Sequence, residues 1–214
     1  MVAEFRSWAD HTVNAWGADA GGLARASHYT AVVMQRRIIK YCRECGTAVD
    51  YRIPDDGDTR ERAVCPACGT IHYINPLLVV GTVPYWGDQV LLCKRAIEPR
   101  HGKWTLPAGF MELGETMAQG AARETAEEAG AEVEMGPLFS TMSVPRVGQV
   151  HVFYLARLLS DRFDPGTESL EARLFTEAEV PWDEIAFATV RETLRRFFAD
   201  HRPGTHGVHD VDIQ

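Results

Sequence analysis

The sequence predicts a mixed β-sheet flanked by helices, an α/β or α+β sandwich, preceded by a small four-cysteine zinc ribbon. Four cysteines form two close pairs in the N-terminal part of the chain. Strand-like apolar runs begin at Leu77, and two later segments have helical periodicity. We therefore expect an N-terminal arm over residues 1–36, the ribbon over residues 37–75, a main domain over residues 76–200 and a flexible tail over residues 201–214.

The first segment, residues 1–36, is expected to be poorly ordered. Its stretch "WGADAGGLARASHYT" is rich in glycine and alanine and has no clear period. Met34 opens the more regular stretch "MQRRIIKYC", so a natural start at Met34 is the alternative to a mobile arm.

Composition and charge exclude several classes of protein. With 45% hydrophobic and 24% charged residues over 214 positions, the chain has the composition of a soluble globular protein. Its formal net charge of −8 speaks against nucleic acid as a partner, whereas an anionic substrate is compatible if a metal ion supplies positive charge. No apolar run reaches the roughly 20 residues of a membrane span. The N-terminus lacks the pattern of a secretory signal, so we expect a cytoplasmic protein without membrane contact.

The cysteine spacing predicts a metal site in the ribbon. Cys42 and Cys45 are separated by two residues, as are Cys65 and Cys68, and 19 residues separate the two pairs. This spacing is typical of a zinc site, in which each pair contributes two thiolates to a tetrahedron. A redox role is the alternative for one such pair, but two pairs at this spacing argue against it. Because four protein thiolates leave no open ligand position, we expect a structural Zn2+.

The sequence of the main domain predicts strands, loops and helices in succession. "LLVVGTVPYW" and "QVLLCKR" are strand-like runs joined at "GD", which indicates a hairpin. Pro107 and Gly109 interrupt "KWTLPAG", and a loop and a helix follow. "AEVEMGPLFSTMSV", "VHVFYLARLL" and "EARLFT" are further strands, and "ATVRETLRRFFADH" is a helix with one apolar face. The polar tail after it is expected to fray.

The ends of the first helix of the main domain can be predicted from its capping residues. Thr116 and Gln119 fit a capping box that starts the helix near Met117. Gly130 fits a left-handed stop at its other end. Five alanines between these ends favour the helix.

Three glutamates lie close together on this helix. Glu124 and Glu128 are one turn apart on one face, and Glu127 lies on the flank of that face. Like charges at this spacing repel one another. The cluster is therefore either a solvated acidic face or a site for a cation.

The glutamates belong to a longer pattern, G-x5-E-x7-R-E-U-x-E-E-x-G-U, in which U is an apolar residue. Its fixed positions are matched by Gly109, Glu115, Arg123, Glu124, Glu127, Glu128 and Gly130. The apolar positions hold Thr125 and Ala131, which are weaker than the usual isoleucine, leucine or valine but concern packing. The pattern resembles the Nudix box, the signature of the Nudix hydrolases, and this resemblance implies a Nudix sandwich.

Nudix hydrolases cleave a nucleoside diphosphate linked to a further group, and clustered carboxylates supply the oxygen ligands that their Mg2+ or Mn2+ ions prefer. By this resemblance the metal ligands are Glu124, Glu127, Glu128, the carbonyl of Ala108, and a further carboxylate outside the box. Glu168 and Glu171 are candidates for that carboxylate, and we favour Glu171 because "EAR" before an apolar pair resembles its position in zinc-ribbon Nudix pyrophosphatases. The resemblance assigns catalytic roles to Glu127, Glu128, Glu171 and Arg123. Of these, Arg123 would orient a glutamate by a charge-assisted hydrogen bond.

The substrate is predicted from resemblances outside the box. A zinc ribbon ahead of a Nudix domain resembles NADH pyrophosphatase-like proteins, but their SQPWPFPxS motif is absent from "FSTMSVPRVGQVHVFYLARL". Residues 40–200 instead resemble the plant plastidial FAD pyrophosphatases and their bacterial relatives in "NPLLVVG", "VLLCKR", "HGKWTLPAGF", "GQVHVFYLA" and "PGTESLEARLF". This resemblance implies cleavage of FAD to FMN and AMP. Candidate contacts to a base or flavin ring are Trp104, Phe110, Arg146 and Tyr154.

Other functions stay open at this point. ADP-ribose, NADH and NAD-capped RNA are alternative substrates. A non-enzymatic alternative makes the ribbon a nucleic-acid or protein adaptor, with a weak basic patch formed by Arg36, Arg37, Lys40 and Arg43. We also expect a homodimer, because Nudix domains often pair.

Overall fold

The computed structural model describes residues 38–202 and 204–214, so the arm predicted over residues 1–36 lies outside the described residues. The ribbon contains three short strands, β1 (Asp50–Arg52), β2 (Arg62–Val64) and β3 (Ile71–His72). They pair antiparallel in that order. The hairpin expected between the two cysteine pairs is therefore present as β1 and β2.

A second sheet forms the main domain. Its strands are β4 (Leu77–Trp86), β5 (Gln89–Arg95), β6 (Trp104–Thr105), β7 (Ala108–Phe110), β8 (Val133–Val144), β9 (Gln149–Leu158), β10 (Ser169–Phe175) and β11 (His209–Asp212). Six of them follow the order β10-β5-β4-β9-β8-β11, while β6 pairs with β5 and β7 pairs with β4. The pairs β4–β9 and β8–β11 are parallel, and the other pairs are antiparallel. The sheet is mixed, as the sequence predicted.

Two helices cover opposite faces of this sheet, α1 (Met117–Ala129) and α2 (Ala188–His201). Leu91 of β5 lies in a core cluster with Ala129 of α1. Its neighbour Leu92 lies in a different cluster with Leu194 of α2, because successive strand residues point to opposite faces. The predicted sandwich is therefore confirmed. In the described part of the chain, no helix combines the length and apolar character that a membrane crossing requires.

The ends of α1 follow the predicted capping residues. The Thr116 side chain accepts the Gln119 N–H, and the Gln119 side chain accepts the Thr116 N–H, which completes a capping box. Gly130 adopts the left-handed conformation with φ 59°, and its N–H donates to the Ala126 carbonyl at 2.9 Å. Both caps hold the glutamate-bearing turns in a fixed place.

The C-terminal tail differs from the flexible segment that its polar sequence suggested. Residues His209–Asp212 form β11, a parallel edge strand beside β8. The Thr141 hydroxyl donates to Asp210 at 2.7 Å, and Asp200 contacts the His209 ring at 2.8 Å. The polar side chains are thus satisfied by partners distant in sequence, which a local reading of the tail cannot reveal.

Candidate active site and metal centre

The four ribbon cysteines converge on one point. The Sγ atoms of Cys42, Cys45, Cys65 and Cys68 all lie within 4.8 Å of one another. Three of the Sγ–Sγ distances are 3.5–3.6 Å. A tetrahedron with Zn–S bonds of about 2.3 Å has sulfur atoms about 3.8 Å apart, so this donor set fits a zinc ion.

Each cysteine pair sits on a tight turn of the same shape. The N–H of Gly46 donates to the Cys42 carbonyl at 3.0 Å, and the N–H of Gly69 donates to the Cys65 carbonyl at 3.0 Å. Both glycines have φ 74°, a conformation that residues with a Cβ rarely adopt. A hydrogen bond from the Thr70 hydroxyl lowers the pKa of the Cys68 thiol to about 6. The thiolate form that a metal requires is therefore favoured there.

Arg123 connects the charged residues of the glutamate-rich helix. Its Nε and Nη2 atoms donate to the two Glu115 oxygens at 3.1 and 2.9 Å. Its Nη1 donates to Glu124 at 2.8 Å and to Glu127 at 3.0 Å. Its Nη2 also donates to the Phe110 carbonyl at 3.2 Å. One guanidinium thus fixes three box glutamates and ties α1 to the loop before it.

Glu128 and Glu124 are set into the protein rather than exposed on an acidic surface. Glu128 is only 7% exposed and accepts the N–H of Ala108 at 3.1 Å. Burial raises the pKa of Glu128 to about 7 and also raises the pKa of Glu124. The Glu124 carboxylate lies against Gly109, where a Cβ would come within 2.4 Å of it. A side chain added at position 109 would therefore displace this carboxylate.

This donor set fits a hard divalent cation. Burial and mutual repulsion disfavour the ionised forms of Glu124 and Glu128, and a cation between them would offset both effects. Carboxylate oxygens are the ligands that Mg2+ and Mn2+ prefer. Among the described residues, only the ribbon cysteines bring three or more ligand atoms within 4.8 Å of one another. In the box, Arg123 holds the carboxylates in ion pairs.

Of the two candidates for a carboxylate outside the box, it is Glu168 rather than the preferred Glu171 whose charge acts on this cluster. The negative charge of Glu168 raises the pKa of both Glu124 and Glu128. Ala172 packs in the core cluster that contains Ala129 of α1. Its neighbour Glu171 therefore points to the opposite face of the sheet, away from α1.

The loop that carries Glu168 is anchored on the C-terminal end of α1. Asp164 donates its N–H to the Ala129 carbonyl at 2.9 Å, and Gly166 donates its N–H to the Glu128 carbonyl at 3.2 Å. These bonds satisfy carbonyls that have no partner within the helix. The sequence feature that could have indicated this loop is "DPGTES", a stretch rich in turn-forming residues that follows a strand.

The four residues predicted to contact a base or flavin ring occupy different environments. Trp104 is 6% exposed, and its ring packs edge-on against the Phe175 ring with 4.9 Å between the ring centres. This position in the core contradicts the expected contact of Trp104 with substrate. Tyr154 is partly buried and packs against the cluster that contains Val152. Phe110 is 53% exposed, and its carbonyl accepts a hydrogen bond from Arg123. Arg146 is exposed on the short 3-10 turn Pro145–Val147, where no described contact links it to the glutamates.

Comparisons with known proteins agree with this architecture. Residues 76–200 match the NUDIX domain family, and residues 40–74 match the Nudix N-terminal zinc-ribbon family. A solved NUDIX hydrolase from Nitrosomonas europaea is 51% identical with a TM-score of 0.79, and the match covers 82% of this chain and 99% of that one.

Two curated relatives carry an activity in their names. The NAD-capped RNA hydrolase NudC of Photobacterium profundum is 31% identical over 72% of this chain and 58% of its own length. The ADP-ribose pyrophosphatase of Methanocaldococcus jannaschii is 28% identical over 54% of this chain and 69% of its own length. The chain thus spans just over half the length of the NudC relative. Because the NUDIX match covers more than half of the chain and includes the glutamate cluster, this protein belongs to the Nudix hydrolase family.

Proposed function

We propose that the protein hydrolyses the diphosphate bond of a dinucleotide-type substrate in a reaction that depends on Mg2+ or Mn2+. The observation that carries this proposal is the convergence of carboxylates from two elements. Glu124 and Glu128 lie on one face of α1, and the charge of Glu168 reaches both from a neighbouring loop. A substrate bearing two phosphates needs positive charge, and an acidic chain obtains it from bound cations.

The residues of the site would divide the work as follows. Glu124 and Glu128 hold the cation, while Glu127 and the Ala108 carbonyl supply further oxygens. Arg123 fixes the orientation of Glu124 through its Nη1, and the Ala108 N–H fixes Glu128. A bound divalent cation would neutralise the diphosphate and activate the attacking water. Glu168 completes the carboxylate set in the role that the sequence had assigned to Glu171.

The ribbon has a different task in this proposal. We assign Zn2+ to its four thiolates, because their spacing fits a closed tetrahedral site. Such an ion takes no part in hydrolysis and instead stabilises the fold of the ribbon. The homodimer and the cytoplasmic location stay predictions.

FAD is the first candidate substrate. Its diphosphate would be cleaved by addition of one water, which yields FMN and AMP. Support comes from the resemblance of five segments to FAD pyrophosphatases and from the exposed ring of Phe110, whose carbonyl contacts Arg123. An exposed aromatic face is suited to stacking on a flat ring.

ADP-ribose and NAD-capped RNA form the second candidate, because the relatives named above carry these activities in their names. The ribbon gives limited support to an RNA substrate. Its described residues 38–75 contain five Lys or Arg and six Asp or Glu, so it offers no excess of positive charge to a phosphate backbone.

A substrate panel tests the proposal. FAD, ADP-ribose, NADH and a short NAD-capped RNA are incubated separately with the purified protein and Mg2+ or Mn2+, and the products are separated by chromatography. We expect FAD to give FMN and AMP at the highest kcat/KM. A preference for ADP-ribose or NAD-capped RNA would replace FAD with the second candidate. Absence of hydrolysis with every substrate and both metals would contradict the proposed function.

A further inference from the structure

Arg95 ends strand β5 beside the loop that carries Glu168. Its N–H donates to the Lys103 carbonyl at 2.9 Å, and its carbonyl accepts the Gly102 N–H at 2.8 Å. Arg95 pairs with Ser169 in the register of β5 and β10. The next N–H along the chain, from Ala96, donates to the Glu168 carbonyl at 2.8 Å. The backbone of Arg95 is therefore fixed next to Glu168.

The side chain of Arg95 is held along its length. Its Nε donates to the Pro99 carbonyl at 2.8 Å, and its guanidinium carbon lies 5.3 Å from the centre of the Phe187 ring. These contacts restrict the guanidinium before any ligand binds. The Nη1 and Nη2 atoms are not needed for either contact.

Arg95 has no ion-pair partner within residues 38–202 and 204–214. The contrast with Arg123 is direct, because Arg123 pairs with three glutamates of the box. A guanidinium stays charged in proteins, and a partly buried charge without a partner is costly. A ligand that brings negative charge to Arg95 would offset this cost.

Arg95 also lies near the carboxylate cluster of α1. Cys93, two residues earlier on the same face of β5, donates its thiol to the Glu128 carbonyl at 3.8 Å. Arg95 thus borders the carboxylate cluster without joining its ion pairs.

We propose that Arg95 binds the diphosphate of the substrate through its Nη1 and Nη2 atoms. The planar fork of a guanidinium matches two phosphate oxygens, which makes arginine well suited to this contact. Arg95 would hold the substrate next to the cations bound by the glutamates. The inference builds on the proposed function, because it assumes that the ligand of the site carries a diphosphate.

Calorimetric titration of the full-length protein with ADP and Mg2+ tests this role without requiring turnover. Arg95→Gln removes the charge but keeps an amide that can donate to the Pro99 carbonyl. Arg95→Lys keeps the charge but lacks the fork. Arg173→Gln is the matched control, because the Arg173 guanidinium also lies over a ring, that of Phe175 at 4.7 Å. Circular dichroism verifies that each variant is folded.

We expect Arg95→Gln to weaken ADP binding by about 10–100-fold, since a hydrogen-bonded charge pair with phosphate is lost. Arg95→Lys should fall between wild type and Arg95→Gln, and Arg173→Gln should bind as wild type does. Equal ADP affinity in wild type and folded Arg95→Gln would overturn the proposal, and so would a wild type that does not bind ADP. Arginine-dependent ADP binding without hydrolysis of any dinucleotide would sustain the role of Arg95 and contradict only the proposed function.

Discussion

At the scale of single residues, Arg123 offsets only part of the electrostatic repulsion between the glutamates of α1. Its guanidinium pairs with Glu124 and Glu127, whereas the buried Glu128 receives, from the described residues, only the N–H of Ala108. Two carboxylates one helical turn apart remain close to each other without full compensation. The bound cation that we propose would complete this compensation.

Single substitutions of Glu168 and of Glu171 distinguish the roles of these two carboxylates, which are close in sequence. Glu168→Gln should lower kcat by about 100-fold, because it removes a charge next to Glu124 and Glu128. Glu171→Gln should leave kcat within about twofold of wild type, because surface changes away from a site have small effects. Steady-state hydrolysis of the best substrate at saturating Mg2+ measures both. The opposite ranking would restore Glu171 as the additional carboxylate.

His151 should make the fold sensitive to acid. Burial lowers its pKa from 6.5 to about 4, while its ring contacts the Thr189 hydroxyl at 3.1 Å. The unfolded chain therefore binds this proton more readily, so the stabilisation present above pH 6.5 is lost as the pH falls towards 4. The loss amounts to at most about 3 kcal/mol.

Urea unfolding of wild type and His151→Gln between pH 7 and pH 4 measures this contribution. The free energy of unfolding should decrease less steeply with falling pH in His151→Gln than in wild type. Parallel pH dependences would contradict the assignment of this acid sensitivity to His151.

At the scale of elements, an irregularity at the start of β10 determines on which side of the sheet Glu171 lies. Ser169 lies opposite Arg95, which is on the same face of β5 as Cys93, the face towards α1. Regular alternation along β10 would therefore place Glu171 on that face too. A β-bulge between Ser169 and Glu171 reverses this alternation. A bulge leaves no clear mark in a single sequence, so the choice between Glu168 and Glu171 could not be made from it.

Gly166 permits the close contact between this loop and α1. A Cβ at Gly166 would lie 1.8 Å from the Glu127 carbonyl oxygen, so the loop must shift if a side chain is added. Gly166→Ala should cost about 1–3 kcal/mol of stability and also lower kcat, because Glu168 moves with the loop. Thermal unfolding and steady-state kinetics measure the two effects.

Gly207→Ala is the matched control for Gly166, since no atom of the described part of the chain lies within 4 Å of a Cβ at Gly207. It should retain both the stability and the kcat of wild type. A Gly166→Ala variant with normal kcat would show that the anchored loop does not position a catalytic group.

The elements themselves were largely predictable. The hairpin of β4 and β5, the capping box at Thr116 and the stop at Gly130 rest on local patterns that the structure reproduces. Trp104 and the edge strand β11 were not predictable, because their environments depend on residues distant in sequence. Local sequence patterns specify turns and the periodicity of helices and strands. The whole fold decides on which side of the sheet a residue finds a partner.

At the scale of the whole molecule, the protein combines two sets of donor atoms that suit metal ions of different chemistry. The four sulfur atoms of the ribbon suit a soft closed site, whereas the glutamate oxygens suit a hard ion that exchanges with solvent and substrate. The family could be predicted from the sequence because the box is contiguous. The substrate could not, because the surfaces beside the box come from loops without a recognised motif.

Cys42→Ser tests the zinc centre separately. Elemental analysis of the purified wild type should find about one zinc ion per chain, and the variant should contain almost none, because three thiolates cannot close the site. The variant should also lose folded ribbon or assemble poorly, since metal binding contributes to folding. Full zinc content in Cys42→Ser would contradict the four-cysteine assignment.

The most direct test of the central claim is the Mg2+ dependence of hydrolysis in Glu124→Gln. Glu134→Gln is the matched control, because Glu134 forms an exposed ion pair with Arg157. Glu124→Gln should remain folded and lose more than about 100-fold in kcat with weakened activation by Mg2+, since a ligand charge is removed. Glu134→Gln should match the wild type. Near-normal, Mg2+-dependent turnover by Glu124→Gln would contradict the claim that the glutamates of α1 form the catalytic metal site.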